Sequence, residues 1–214
     1  MQQGGGVDPR GGAYSDKRVV AEKLARVGIG PAAPINAFVD SLRKARPSSS
    51  VPYVDPDCGG VEARVLMLFQ DPGPMAAQPK GSGMLSISND DPSAKTLCQV
   101  LAEAAIPWSE VVPWNAIPWY TGGANSAADK LQGLLTLGPL TALLPRLCVV
   151  VTFGGTAAQS WHRAVAQVPE LSCYTHISTL HPGVGGLTNG YRQKAPVGRT
   201  QLLRDLVEAR SLLT

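Results

Sequence analysis

Apolar runs and amphipathic stretches alternate along the chain from residue 63 onwards. Uncharged and β-branched runs predict strands at 63–69, 111–117, 147–153 and 174–179. Helical patterns follow these strands in turn, over 91–104, 126–144 with an interruption at Gly138-Pro139, 157–165 and 198–213. The repeated strand-helix order predicts an α/β fold: a three-layer α/β/α sandwich with a central, mainly parallel four-stranded sheet.

The region before residue 63 lacks this alternation. Residues 1–14 are rich in glycine, which predicts a disordered tail. Ser15 is the predicted N-cap of a helix over 17–26, and a second helix is predicted over 35–44. Residues 15–50 are therefore interpreted as a helical appendage to one domain that spans residues 15–214.

Composition limits the protein class more than the function. The 214 residues are 44% hydrophobic, and no apolar run reaches the about 18 residues that span a bilayer. The first residues lack the charged-then-apolar order of a signal peptide, so a soluble cytoplasmic protein is expected. The four cysteines form no C-x-x-C pair, and Cys98 and Cys148 are interpreted as buried thiols.

The net charge of +3 does not by itself indicate a nucleic-acid-binding protein. Several basic residues nevertheless follow His181 closely: Arg192, Lys194, Arg199 and Arg204. They form either a phosphate-facing patch or the solvated face of a loop and helix.

Three polar residues each lie where a predicted strand ends. Asp71 comes after the first, Asn115 lies near the end of the second, and His181 follows the fourth. Ligands bind beyond the carboxyl ends of parallel strands, so these side chains predict a small-molecule or base-sized pocket. Simpler interpretations are an Asp-Pro-Gly turn, an asparagine that bonds a neighbouring loop and a structural histidine.

Further candidates carry weaker signals. Gly154-Gly155 precedes a predicted helix and either cradles a phosphate or makes a tight strand-to-helix turn. His162 and His176 are interpreted as packing or surface residues.

Taken in chain order, these segments resemble the uracil-DNA glycosylase superfamily. The first motif of that superfamily is similar to Phe69-Gln70-Asp71-Pro72-Gly73, its strand-end asparagine to Trp114-Asn115-Ala116, and its late H-P-S loop to His181-Pro182-Gly183. Pro92-Ser93 resembles a helix start that touches DNA phosphate, and residues 151–159 resemble the family's strand, glycine turn and helix. The resemblance covers about residues 63–210.

The resemblance implies a monomeric enzyme that flips uracil out of single- or double-stranded DNA and hydrolyses its N-glycosidic bond. It implies no cofactor, metal or membrane partner. The cysteines do not follow the paired spacing of the branch that binds a four-iron cluster, so no cluster is expected. The catalytic residues would be Asp71 and His181. Substrate-binding residues would be Gln70, Gly73, Met84, Leu85 and Asn115. DNA-binding residues would be Ser93, Gly183, Val184, Leu187, Arg192 and Lys194, with Val184 or Leu187 as an apolar wedge.

The chain departs from the family pattern at three places. Gly73 replaces a tyrosine that blocks the thymine methyl group, Gly183 replaces the serine of H-P-S, and Met84 or Leu85 stands where an aromatic ring stacks on uracil. Two other functions stay open: a non-catalytic binder of damaged or abasic DNA with the same fold, and a mononucleotide-binding α/β enzyme that uses the Gly154-Gly155 turn.

Overall fold

A parallel sheet with helices on both faces forms the centre of the protein in a computed structural model, which describes residues 11–188 and 193–213. The strands are Tyr53–Val54 (β1), Val65–Phe69 (β2), Met84–Leu85 (β3), Val111–Asn115 (β4), Val149–Phe153 (β5) and Thr175–Thr179 (β6). The α-helices are Lys17–Leu24 (α1), Ala33–Ala45 (α2), Pro92–Glu103 (α3), Ala127–Leu134 (α4), Leu137–Ala142 (α5), Gly155–Gln167 (α6), Val184–Leu187 (α7) and Ala195–Ser211 (α8).

The four-stranded sheet has the order β4-β2-β5-β6, and every neighbouring pair is parallel. This confirms the predicted α/β sandwich with a central parallel sheet. Strand order reverses at β2, which has β4 on one side and β5 on the other. Such a reversal opens a crevice at the carboxyl ends of the strands. Register places Phe69 of β2 beside Asn115 of β4 at that edge.

The four predicted strands exist because their apolar runs are buried. All residues of β4 and β5 are buried, whereas β6 alternates between exposed and buried positions at the edge of the sheet. One helical layer contains α3 packed on α8, and α4 and α6 pack together in the other. None of the helices in the described residues is long and apolar enough to cross a membrane.

The N-terminal region differs from the prediction. Asp16, not Ser15, caps α1, and its side chain accepts a hydrogen bond from the Arg18 N–H. A disordered tail is wrong for residues 11–14, because Tyr14 is buried and donates to Asp55 at 2.9 Å. Residues 1–10 of the predicted tail lie outside the described residues.

Two further expectations are corrected. The helical stretch 126–144 breaks between α4 and α5, whereas Gly138-Pro139 lies in the first turn of α5. Proline is tolerated there because a first-turn N–H has no partner within the helix. The repeated glycines from Gly183 to Gly190 also predict a loop, but its described part contains the short helix α7.

Candidate functional site

A cavity of about 350 Å³ lies at the carboxyl edge of the sheet, where the loops after β2, β4 and β6 meet. It brings Asp71, Asn115 and His181 together on one surface. Loop 85–89 and the start of α3 supply the facing wall. Apolar side chains cover much of the remaining lining, namely Phe69, Leu85, Ile87, Leu97, Trp108 and Pro113. A concave, mainly apolar space with a few converging polar groups is typical of a small-molecule site.

Asn115 carries the most informative polar atom of the cavity. It is the last residue of β4 and only 2% exposed. Its Nδ2 is buried and has no hydrogen-bond partner among the described residues. An unsatisfied buried donor costs about 1–3 kcal/mol, so its retention is explained if a ligand supplies the acceptor.

His181 is held in one tautomer by the backbone. The N–H of Gly183 donates to His181 Nδ1 at 3.0 Å, so Nδ1 must be unprotonated. The neutral ring therefore carries its proton on Nε2. Burial lowers the pKa of the His181 imidazole, and the Asp91 and Asp71 carboxylates oppose that effect without cancelling it. His181 is thus a neutral hydrogen-bond donor at neutral pH.

Close backbone approach fixes the position of His181. A Cβ added at Gly186 would lie 2.6 Å from the His181 Cβ, so only glycine fits there. Gly154 has φ +87° and also lies beside His181, with 3.7 Å between its added Cβ and the His181 Cβ. The Gly154-Gly155 turn is not part of the cavity lining, and the positive φ of Gly154 explains this glycine without a phosphate.

Asp71 is fixed by a residue that sequence reasoning missed. The Thr121 Oγ1 lies 3.0 Å from Asp71 Oδ2 and is the donor of this pair, because an ionised carboxylate only accepts. Thr121 comes from the loop between β4 and α4, fifty residues further along the chain. No periodicity or motif links the two residues.

Aromatic surface is present in the cavity, although not where the resemblance implied it. Phe69 lines the wall and stacks on Phe153, with ring centroids 4.4 Å apart. Leu85 also lines the cavity, whereas Met84 is fully buried and does not. Trp108 supplies a second aromatic side chain at the wall. A base-stacking role is therefore open to Leu85 and Phe69 and closed to Met84.

Two residues of the first motif lie differently with respect to the cavity. Gly73 lines it, and a Cβ added there would meet nothing within 4 Å. Gln70 is not in the lining, and its backbone carbonyl accepts a hydrogen bond from Ile117 N–H at 2.9 Å. The space beside Gly73 is thus open, and this residue provides no steric block against a methyl group.

Ser93 and Gly183 lie together at the rim. Ser93 is the second residue of α3, and the Asp91 side chain at the N-cap accepts hydrogen bonds from Ser93 and Ala94 N–H. A Cβ added at Gly183 would lie 2.9 Å from Ser93 Oγ and 3.0 Å from His181 Nδ1. A side chain at position 183 would therefore displace Ser93 or His181, which explains the glycine there.

Of the two candidate wedge residues, only one is accessible. Val184 is 61% exposed, whereas Leu187 is 6% exposed and belongs to the core. Leu187 cannot insert between bases without leaving that core, so the wedge role is left to Val184.

The basic residues after His181 do not form one uniform patch. Lys194 is exposed at the start of α8. Arg199 pairs with Glu103 of α3 at 2.5 Å, and Arg204 lies 3.9 Å from Asp205. Arg192 lies outside the described residues. Within the described part of the chain, Lys194 and Arg204 are therefore the exposed members of this group.

A second cavity, here called the histidine-pair cavity, lies between α6 and β6 and measures about 320 Å³. His162 and His176 line it, with 3.3 Å between His162 Nε2 and His176 Nδ1. His176 Nε2 also lies 2.9 Å from Thr152 Oγ1. Neither histidine lines the cavity that contains His181.

The thiols and acidic groups give no metal centre in the described ranges, where no three histidine, cysteine or acidic residues are arranged to hold an ion. Cys58 and Cys98 are buried, but Cys148 is half-buried and Cys173 exposed, so the expectation for Cys148 is corrected.

No protein-family model matches this chain, and no curated protein matches its sequence. An α/β sheet with a cavity at its carboxyl edge is shared by many enzymes and binding proteins, so the fold does not name an activity. Function therefore follows only from the chemistry of the cavity.

Proposed function

We propose that this protein is a DNA glycosylase that flips uracil out of DNA and hydrolyses its N-glycosidic bond, leaving an abasic site. The observation that carries this proposal is the unpaired, buried Nδ2 of Asn115 in the cavity that also contains Asp71 and His181. An acceptor on a bound base would satisfy this donor, and the same cavity supplies a carboxylate and a neutral imidazole.

In this proposal Asn115 recognises uracil through the hydrogen-bonding groups O4 and N3–H. Its Nδ2 donates to O4 of uracil, and its Oδ1 accepts from N3–H. Cytosine presents an amino group and an unprotonated N3 at the same positions, so both interactions become unfavourable. With cytosine bound, the buried Nδ2 would remain unpaired, and the free-energy cost of that state disfavours cytosine relative to uracil.

His181 stabilises the departing base. Its Nε2–H donates to O2 of uracil, where negative charge gathers as the glycosidic bond lengthens. The Gly183 hydrogen bond to Nδ1 orients this donor before the reaction begins. A neutral imidazole suits the role because it can donate a hydrogen bond to O2 without a change in its own protonation.

Asp71 acts on the sugar side of the bond. Its carboxylate stabilises the cationic sugar and orients the attacking water. The C1′–N1 bond breaks and the base leaves with both electrons. Water forms the new C1′–O bond and, through solvent, supplies the proton that neutralises the base.

The rim of the cavity suits an extruded nucleotide. Base flipping needs contacts to the flanking phosphates and a group that fills the vacated stack. Ser93 at the start of α3 and the exposed Lys194 are the candidate phosphate contacts, and the exposed Val184 is the candidate wedge.

The direct test is incubation of the purified protein with single- and double-stranded oligonucleotides that contain uracil, hypoxanthine or xanthine, followed by alkali to cleave abasic sites. Strand cleavage at uracil, and none in matched oligonucleotides with cytosine, is expected. Fluorescence anisotropy with the same oligonucleotides measures binding separately. Binding without cleavage would replace the proposal with a non-catalytic binder of damaged or abasic DNA, and neither binding nor cleavage would refute both.

A further inference from the structure

We infer that Thr121 is a positioning residue that holds the Asp71 carboxylate in its working orientation. This role rests on the proposed function, in which Asp71 is the catalytic carboxylate. The contact itself is observed: Thr121 Oγ1 lies 3.0 Å from Asp71 Oδ2.

The oxygen of Thr121 is the centre of a small hydrogen-bond network. Besides Asp71, it contacts Asn125 Oδ1 at 2.7 Å, and it accepts the N–H of Gly123 at 3.2 Å. All these groups except Asp71 belong to one short loop between β4 and α4. The network therefore connects this loop to the end of β2.

The network has a preferred direction, because a hydroxyl carries a single proton. Thr121 contacts two acceptors, the Asp71 carboxylate and the Asn125 amide oxygen. An ionised carboxylate is the stronger acceptor, so the proton points to Asp71. A half-turn of the Asn125 side-chain amide exchanges its Oδ1 and Nδ2. Nδ2 then faces Thr121 Oγ1 and donates a hydrogen bond to it. Asn125 thereby orients Thr121, and Thr121 orients Asp71.

Asp71 needs such a contact because packing alone does not hold its side chain. It is half-buried, in a loop just past the end of β2. The loop that carries Thr121 is anchored to the same place: the N–H groups of Ala116 and Ile117 donate to the carbonyls of Phe69 and Gln70 at 2.8 and 2.9 Å. The chain segment that supplies Asn115 therefore also fixes Asp71, so both sides of the glycosidic bond depend on one rigid connection.

Removing the hydroxyl of Thr121 tests the inference. Thr121→Val keeps the shape and removes the donor, while Thr121→Ser keeps the donor. With a uracil oligonucleotide, Thr121→Val is expected to lower kcat about 10-fold, with KM changed less than about 2-fold, since an interaction with the reacting centre is weakened. Thr121→Ser should retain most of the parent kcat. Thr175→Val, at an exposed position in β6, is the matched control and should match the parent.

A double-mutant cycle separates positioning from a general structural effect. In an Asp71→Ala background there is no carboxylate to orient, so adding Thr121→Val should cause no further loss of kcat. An equal loss in both backgrounds, or a parent-like kcat for Thr121→Val alone, would overturn the role of Thr121.

Crystal structures of the parent and of Thr121→Val give a readout that does not need activity. The Asp71 carboxylate should occupy one orientation in the parent and several in the variant. An unchanged single orientation in the variant would refute the positioning role. The two hypotheses can also fail separately. If the parent does not excise uracil but the Asp71 carboxylate takes several orientations in Thr121→Val, the proposed function is refuted and the positioning role is supported.

Discussion

The cavity that contains His181 and the histidine-pair cavity offer a direct comparison, because both place imidazoles in a concave surface. In both, burial lowers the pKa of an imidazole: that of His181 in the first, and that of His176 in the second, where His162 adds to the effect. The two cavities are also similar in size, at about 350 and 320 Å³. Neither volume nor a neutral histidine distinguishes them.

Their hydrogen bonding separates them. In the histidine-pair cavity, His176 is satisfied by Thr152 and His162. In the other, His181 uses Nδ1 to accept from the backbone and keeps Nε2–H for the cavity, beside the Asp71 carboxylate and the unpaired Nδ2 of Asn115. Polar groups that satisfy one another suit a structural role, whereas polar groups left without partners in a cavity are available to a ligand.

The largest expected effect comes from removing an imidazole in each cavity. His181→Ala should slow uracil excision about 10²–10³-fold, because it removes a donor to the charge that develops on O2. His162→Ala, in the histidine-pair cavity, should leave excision unchanged. Single-turnover rates with a uracil oligonucleotide measure both. If both substitutions changed the excision rate equally, the two cavities would not differ in function.

Asp71→Asn should slow excision by roughly 10²-fold, because the amide cannot supply the negative charge that stabilises the sugar cation. The matched control is Asp16→Asn, at the exposed N-cap of α1, where asparagine caps equally well. The same single-turnover assay applies. A parent-like rate for Asp71→Asn would remove this residue from the catalytic role.

Asn115→Asp should lower the preference for uracil over cytosine by about 10-fold, because it replaces the donor that faces O4 with an acceptor. The ratio of excision rates for paired oligonucleotides with uracil and cytosine is the measurement. Because each substrate is the control for the other, a general loss of stability would lower both rates without changing the ratio. An unchanged ratio would exclude Asn115 from base recognition.

The smallest expected effect is a shift in the protonation equilibrium of His181, and its measurement needs no substrate. Long-range ¹H–¹⁵N NMR should show the Nε2–H tautomer and a titration midpoint below the ordinary pKa of 6.5. Since the unfolded chain takes up this proton more readily than the folded protein, acid below about pH 6.5 should also destabilise the fold. The Nδ1–H tautomer, or a midpoint above 6.5, would contradict the Gly183 hydrogen bond.

The sequence predicted the elements whose signals are local. The apolar runs of β2 and β5 and the Asp91-Pro92 start of α3 needed no tertiary information. The parallel topology in turn predicted that Asp71, Asn115 and His181 meet at one edge. Chain order and strand ends are enough for that inference.

The remaining features depend on contacts between distant segments. Strands β1 and β3 have two residues each, too few for a periodic pattern, and exist because they pair with each other. Tyr14 follows a glycine-rich segment, yet its side chain is buried and donates a hydrogen bond to Asp55. The contact of Thr121 with Asp71, the position of Phe69 in the cavity wall and the burial of Leu187 are likewise tertiary facts.

The side-chain amide of Asn115 tests the central claim most directly, because its unpaired nitrogen is the reason for assigning a base to the cavity. Its two Nδ2 proton signals, assigned by their loss in Asn115→Asp, can be followed by NMR while free uracil or cytosine is added. Uracil should shift at least one of these signals downfield in a saturable way, and cytosine should not. Saturable binding of uracil that leaves both signals in place, or equal shifts with both bases, would contradict the account.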